Sequence, residues 1–397
     1  PSFGGGWRVA ELAVTDNPRL GQLPPYFGAG VRSQRVVISA NAALVDLAHG
    51  FLKRGRCQRV KITENPMLAS LPDGMDVITR KMTVADSTRL QNMPADLGRN
   101  AGIRHLKVHS NTALRSIWPN RAVFAGFLEV YDNDALRILA PRLTMDGAGG
   151  AGGLRVRDNS NLWCLAHTLD GQLNGPLFVY ANVSMTALTT GDFNLRGIAV
   201  VDVAHNEQLL QLPHGMLAGQ TINGDVRITH NQELSSIGTT LRLRADVLCI
   251  SANPSLPEVR IGPDACLHSV EVSENLTMDT VVVCGGDRVD GQVLVRANPT
   301  MTTLAMGAAD MPPVQLGSMW VIDNSLLKQA FDSDLFCKVA GDLVIMRNLR
   351  LRHIAPQEFG FHGHVSGDLV VSENARLRTI HQALIGAARG GLHITEN

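Results

Sequence analysis

Little in this 397-residue chain offers a handle for chemistry. It has only three tyrosines and four tryptophans, few for a surface built on aromatic platforms. Basic and acidic side chains balance at 36 each, so no bulk charge draws nucleic acid or an anionic membrane. No stretch approaches the ~18–20 apolar residues of a membrane span. The six cysteines (Cys57, Cys164, Cys249, Cys266, Cys284 and Cys337) contain no CxxC and no paired zinc-finger spacing, and are too sparse for a disulfide-rich scaffold. There is no HExxH and no GxSxG. The glycine-rich run 147–153 lacks the Lys-Ser/Thr of a phosphate loop and precedes a strand pattern instead of following one, so it reads as an inserted loop. The chain opens at Pro1 without an initiator Met or a leader, as expected of a processed secreted protein or a piece of a longer one.

What is present is a repeat. Val60-Lys61-Ile62-Thr63-Glu64-Asn65-Pro66-Met67-Leu68-Ala69-Ser70-Leu71 and Leu369-Val370-Val371-Ser372-Glu373-Asn374-Ala375-Arg376-Leu377-Arg378-Thr379-Ile380 spell one pattern, apolar-x-apolar-x-x-Asn-x-x-Leu-x-x-apolar. The anchor asparagines are Asn17, Asn41, Asn65, Asn111, Asn133, Asn159, Asn182, Asn206, Asn231, Asn253, Asn275, Asn298, Asn324, Asn348, Asn374 and Asn397, with Ser87 on the remaining rung. Spacings of 22 to 26 residues make each repeat one coil of a solenoid. Three residues before the anchor every repeat has Val or Ile, and three after it every complete repeat has Leu or Met. Six after, a large aliphatic is broken only by Ala330.

The physics follows from that spacing. Apolar-x-apolar has period two, so the flanking side chains point inward and the middle one outward. Val and Ile suit a pleated strand because branching at Cβ already restricts their rotamers. Four large aliphatics per coil, each contributing roughly 1.5–3 kcal/mol on full burial, form a core only when neighbouring coils cover them. The anchor amide, where the chain turns, tolerates left-handed dihedrals and can bond the next coil, giving a ladder. Glycines precede many strands, as at Gly153, Gly175, Gly224, Gly291, Gly341, Gly367 and Gly391. Residues 44–56 and 375–389, on the variable side, are expected to contain helical turns.

Leu128-Glu129-Val130-Tyr131-Asp132-Asn133-Asp134-Ala135-Leu136, completed by Leu139, resembles the receptor L domain, a leucine-rich-repeat-like β-helix. Repeats opening Gly341-Asp342-Leu343 and Gly224-Asp225-Val226 are similar to it too. The resemblance implies a mainly β, right-handed solenoid of about seventeen coils with an asparagine ladder. It is a likeness of repeats, covering the whole chain, and implies no receptor-like ligand site. The expected organisation is one continuous solenoid over 1–397: residues 1–9 are a possible lid carrying Phe3 and Trp7, repeats fill 10–397, and the last coil is truncated.

Candidate sites are few. Asp132 and Asp158 belong to a column of nine carboxylates just before the anchor, where hard cations could bind clustered oxygens or where acids are simply tolerated at an exposed corner. His205 and His230 hold the same position in adjacent coils, about one strand spacing, ~4.8 Å, apart. Solvated turn histidines are the better reading of that pair, and His362 and His364 are a second pair of the kind. A column of Ser and Thr two before the anchor is broken by Arg157, Arg296, Tyr131, Ile322 and Met346, which argues against an ice-binding array. The sequons at Asn182 and Asn275 fall on ladder anchors that face inward, where a glycan would cost the ladder bond. Cys266 and Cys284 lie on consecutive coils and could pair, and Cys249 points outward.

These observations give a non-enzymatic structural or adhesive protein, extracellular or at a cell surface, belonging to a longer chain or filament. No catalytic residue, cofactor or metal is expected. The partner is expected to be protein, through self-association or further repeats, with carbohydrate as another candidate and nucleic acid and a membrane span excluded. A receptor-like ectodomain that binds ligand on its sheet face is the second reading, and a β-helix enzyme acting on polysaccharide the third. The last coil, cut after Asn397, leads to the expectation that the native chain continues or polymerises end to end.

Overall fold

The computed structural model describes residues 8–397 except 48, 95–96, 98–101, 148–151, 239, 263, 284–287, 307–313, 332–336 and 356–362. Phe3 and Trp7 of the expected lid, Cys284, His362 and most of the glycine-rich run therefore lie outside the described residues. The chain divides into two compact units, Pro1–Ala199 and Val200–Asn397. Both are parallel β-solenoids, and the described residues hold almost no helix.

In the first unit the inward Val/Ile column runs in strict register: Val14, Ile38, Ile62, Val84, Val108, Val130, Val156 and Val179 each lie opposite the next. In the second, Val203, Ile228, Ile250, Val272, Val295, Val321, Ile345, Val371 and Ile394 do the same. A one-residue slip would turn every core side chain outward, and this is what fixes the pairing. Beyond the anchor a second ladder forms on the opposite side. In the first unit it is a row of single bridges through Gln22, Asp46, Ser70, Asn92, Ser116 and Ile138. The second unit has a six-stranded sheet there, from Glu258–Ile261 to Thr379–Ile380. Between the two ladders the Leu/Met column, such as Leu68, Leu114, Leu234 and Leu351, is fully buried.

Two expectations need correction. The single apolar-x-apolar stretch read in each repeat understates the strands, which range from Gln329–Ala330 to Ala166–Tyr180, with most coils contributing more than one arm. Among the described residues, helix occurs only in the later of the two segments, as Gln382–Gly386. In the earlier one, Gly50, Leu52 and Arg54 all have positive φ, which breaks a helix, while Leu44, Leu47, Phe51 and Leu52 still reach the core through turns.

The ladder is present, and its geometry differs from expectation at one point. Within each unit an anchor's Oδ1 accepts from the backbone N–H of the preceding anchor, as Asn41 does from Asn17 at 3.2 Å and Asn253 from Asn231 at 3.1 Å. The Nδ2 donates to the carbonyl two residues back and to the Val/Ile carbonyl of the previous coil. The shorter Ser87 hydroxyl donates to Ala85 O at 3.3 Å, and its backbone N–H still donates to Asn111 Oδ1 at 3.2 Å. The left-handed residue is not the asparagine. It is the residue before it, which in all seventeen repeats has φ between 52° and 60°. Strict alternation from the inward Val/Ile would place that residue inside and the anchor outside. One left-handed step reverses the parity and swings the amide into the core. No glycine occupies this column, although an L side chain there costs roughly 1–2 kcal/mol.

The same packing sets the chemistry of the thiols. Burial pushes Cys164 and Cys337 up to about 12, whereas Cys266 is exposed. Iodoacetamide at pH 8 should therefore label Cys266 first and spare Cys164 and Cys337 until the chain is unfolded, because only the thiolate reacts. Peptide mapping of the alkylated protein reads this directly, and early labelling of Cys337 would contradict the packing.

Candidate binding face

On the main strands, residues two, four and six before each anchor point away from the core. Coils five to eight, all in the first unit, place an unusual set there: His105, Lys107 and His109; Phe127, Glu129 and Tyr131; Arg155 and Arg157; Phe178 and Tyr180. Parallel register aligns Lys107 with Glu129, Arg155 and Phe178, and His109 with Tyr131, Arg157 and Tyr180. Adjacent strands hold these side chains close enough to interlock.

Tyr131 is enclosed from both sides. The His109 ring of the coil before stacks on it at 4.6 Å and 5°, and the Arg157 guanidinium of the coil after sits 4.1 Å from its centroid. Lys107 Nζ lies 4.8 Å from the same ring. Arg155 bridges Phe127 at 5.8 Å and Phe178 at 5.0 Å, and its Nη1 is 3.9 Å from Glu129. His105 packs edge-on against Phe127 at 5.2 Å, with Nε2 3.3 Å from the other oxygen of Glu129. Burial lowers the pKa of both histidines below the usual 6.5. Lys81 beside His105 and Lys107 beside His109 push the same way, while Glu129 partly restores His105. Both are accordingly neutral at pH 7.

The acidic and histidine candidates fall differently. Asp132 and Asp158 are both left-handed corner residues. Asp132 is exposed, and the Asp158 carboxylate is paired with the Arg157 guanidinium. In the second unit the His205 and His230 rings stack at 4.6 Å and 19°, close to the strand-spacing expectation. Among the described residues no group of three or more His, Cys, Asp or Glu could hold a metal ion. Asn182 and Asn275 are fully buried, as their ladder role requires. Cys249 does face outward, with Sγ 3.9 Å from Glu271. Thr63 and Ser273 are almost fully buried, so the Ser/Thr column is not an open array.

Sequence reasoning passed over the aromatic and cationic cluster. Its signal was available, because Tyr131 and Arg157 stood out as breaks in the Ser/Thr column, but the in-register neighbours four residues before the anchor were not read alongside them. A second patch was missed in the same way. In the second unit Leu294, Trp320, Val344 and Val370 align outward, with Ile322 and Met346 beside them. Among the described residues no helix is long and apolar enough to cross a membrane.

No protein-family model matches the chain. No curated protein sequence matches it significantly. Among solved structures it aligns with YopM from Yersinia enterocolitica WA-314 at 13% identity, over 98% of this chain and 89% of that one, with a TM-score of 0.28. The leucine-rich-repeat-like solenoid is established by the strands, register and ladder described above, and not by that alignment.

Proposed function

We propose that the chain is a non-enzymatic repeat protein that binds a protein partner on the outward sheet face of its first unit, anchored by Phe178, Tyr180, Arg155 and Arg157. The observation that carries this reading is the concentration of two of the three tyrosines, two phenylalanines and two stacked arginines on four consecutive coils. Tyr and Arg dominate the energetic centres of protein interfaces, because they combine large contact area with directional polar groups. Here they are already held by neighbours, so little side-chain entropy is lost on binding. The ionisable groups of this face pair with one another, Arg155 and His105 with Glu129 and Arg157 with Asp158, which suits recognition better than proton transfer.

The test compares proteins captured from the source organism by the wild-type chain, by the double variant Phe178→Ala/Arg155→Ala, and by Arg137→Ala. Arg137 is exposed beyond the anchor, away from this face. Affinity for the captured partner should fall at least tenfold in the double variant and stay unchanged in Arg137→Ala. Equal binding by all three would refute the site. Capture of the chain itself, lost in the double variant, would identify the partner as a second copy.

A further inference from the structure

The first coils carry a column of arginines that no carboxylate pairs with among the described residues. Nine residues before the anchor, coils one to three have Arg8, Arg32 and Arg56, each opposite the next in the parallel register and all exposed. Their strands lie about 4.8 Å apart. The three arginines line a groove of about 520 Å³ together with Val9, Ser33 and Gln34, and no carboxylate contributes to it. Three residues further along the same strands a second column runs from Glu11, opposite Arg35, through Arg59 to Lys81. Between the columns the register skips Ala10, Gln34 and Gln58, so the strand bends and both sets of side chains reach solvent. Lys61, exposed two residues beyond Arg59, extends the basic face.

Among the described residues only Arg35 of these two columns has a carboxylate within 4.0 Å, Glu11 at 3.5 Å, and that pair is half exposed. Like charges directly opposite one another on neighbouring strands are destabilising. Arg8, Arg32 and Arg56, followed by the adjoining Arg59 and Lys81, therefore favour compensation from outside. The compensating group must be a repeating anion, because a single phosphate or carboxylate would meet only one or two of the stacked guanidinium groups. Binding of single-stranded nucleic acid interleaves basic side chains with open aromatic faces. Neither the groove nor the second column has an aromatic residue, and the exposed Tyr26 of these coils is engaged edge-on by His49. Guanidinium forks suit the planar or tetrahedral oxygens of carboxylate and sulfate.

We infer that the arginine groove of coils one to three binds a linear, sulfated or carboxylated polysaccharide. The site shares no residue with the protein-binding face, so either can fail alone. The test uses the full chain and heparin as probe, with uncharged dextran and a DNA duplex of similar length as comparators, measured by calorimetry across a salt series. Heparin should bind with an affinity that falls steeply with salt, and dextran should not bind. Arg32→Glu/Arg56→Glu should weaken heparin binding at least a hundredfold, and the milder Arg32→Gln/Arg56→Gln at least tenfold, both with an unchanged circular dichroism spectrum. Phe178→Ala/Arg155→Ala should bind heparin as the wild type does. Full heparin binding by the Arg32/Arg56 variants, dextran binding equal to heparin, or tighter binding of the duplex than of heparin would each overturn the inference.

Discussion

Replacing Asn253 by leucine should lower the stability of the second unit by about 3 kcal/mol. The side chain is fully buried and works in both directions along the stack. Its Oδ1 accepts from Asn231 N at 3.1 Å and from Asn231 Nδ2 at 3.2 Å, and its Nδ2 donates to Ile228 O at 2.8 Å and Ser251 O at 3.0 Å. Leucine nearly matches its volume and offers no polar atom, so all four bonds are lost. Asn231 Nδ2 keeps Val203 O and Thr229 O and Ser251 O keeps the His230 N–H, while the buried Asn231 N–H loses its partner at a cost of roughly 1–3 kcal/mol before relaxation. Apolar burial of the new side chain offsets part of this. Because repeat arrays need not unfold in one step, hydrogen exchange resolved over coils ten to twelve is the appropriate measurement beside a denaturant midpoint. A change below ~1 kcal/mol would mean that the ladder satisfies geometry without contributing stability.

A comparable loss, above about 3 kcal/mol, is expected for Gly175→Ala. An added Cβ would stand 1.7 Å from the Gly152 carbonyl oxygen and 2.8 Å from its carbon. These are backbone atoms of the neighbouring coil, which cannot move without breaking register. The φ of Gly175 is not positive, so the constraint is space between coils and not a turn conformation. Gly386→Ala supplies the contrast. It lies in the helix Gln382–Gly386, nothing approaches within 4 Å of the new methyl, and alanine should be neutral or stabilise by about 0.5–1 kcal/mol. Thermal unfolding of the two variants separates the cases, and a Gly175→Ala chain as stable as the wild type would show that the coils are less closely packed than drawn.

The core was legible in the sequence because period-two alternation and the Asn-x-x-Leu spacing are local signals, repeated at every coil. Val130, Leu136 and Leu139 could be assigned inward from one stretch of chain. The left-handed column was not legible. Its occupants include Asp, Glu, Ala, His, Ser and Arg, and a conformation imposed by packing leaves no single residue type behind. What that column reads as, in sequence, is an acidic stripe. The candidate faces were hidden for a different reason. Tyr131 and Arg157 are 26 residues apart, and Arg8 and Arg56 are 48 apart, so only the exact register of each coil brings them together. The balanced total of 36 acidic and 36 basic groups concealed a local excess, since a sum over the chain discards position.

The hydrogen bonds from anchor to anchor in the asparagine ladder run one way within each unit. The earlier anchor donates its backbone N–H to the Oδ1 of the later one, as at Asn111 to Asn133 and Asn324 to Asn348. Any coil therefore has unlike faces: its anchor accepts at Oδ1 from the anchor before, donates Nδ2 to that coil's Val/Ile carbonyl, and donates its backbone N–H to the anchor after, as Asn253 does. The stack is vectorial, and the aligned amides polarise one another along it. Two such surfaces related by a twofold axis would set oxygen against oxygen or N–H against N–H. Mirror-image splicing of coils is thus disfavoured by electrostatics alone, and a grafted repeat must be inserted head to tail.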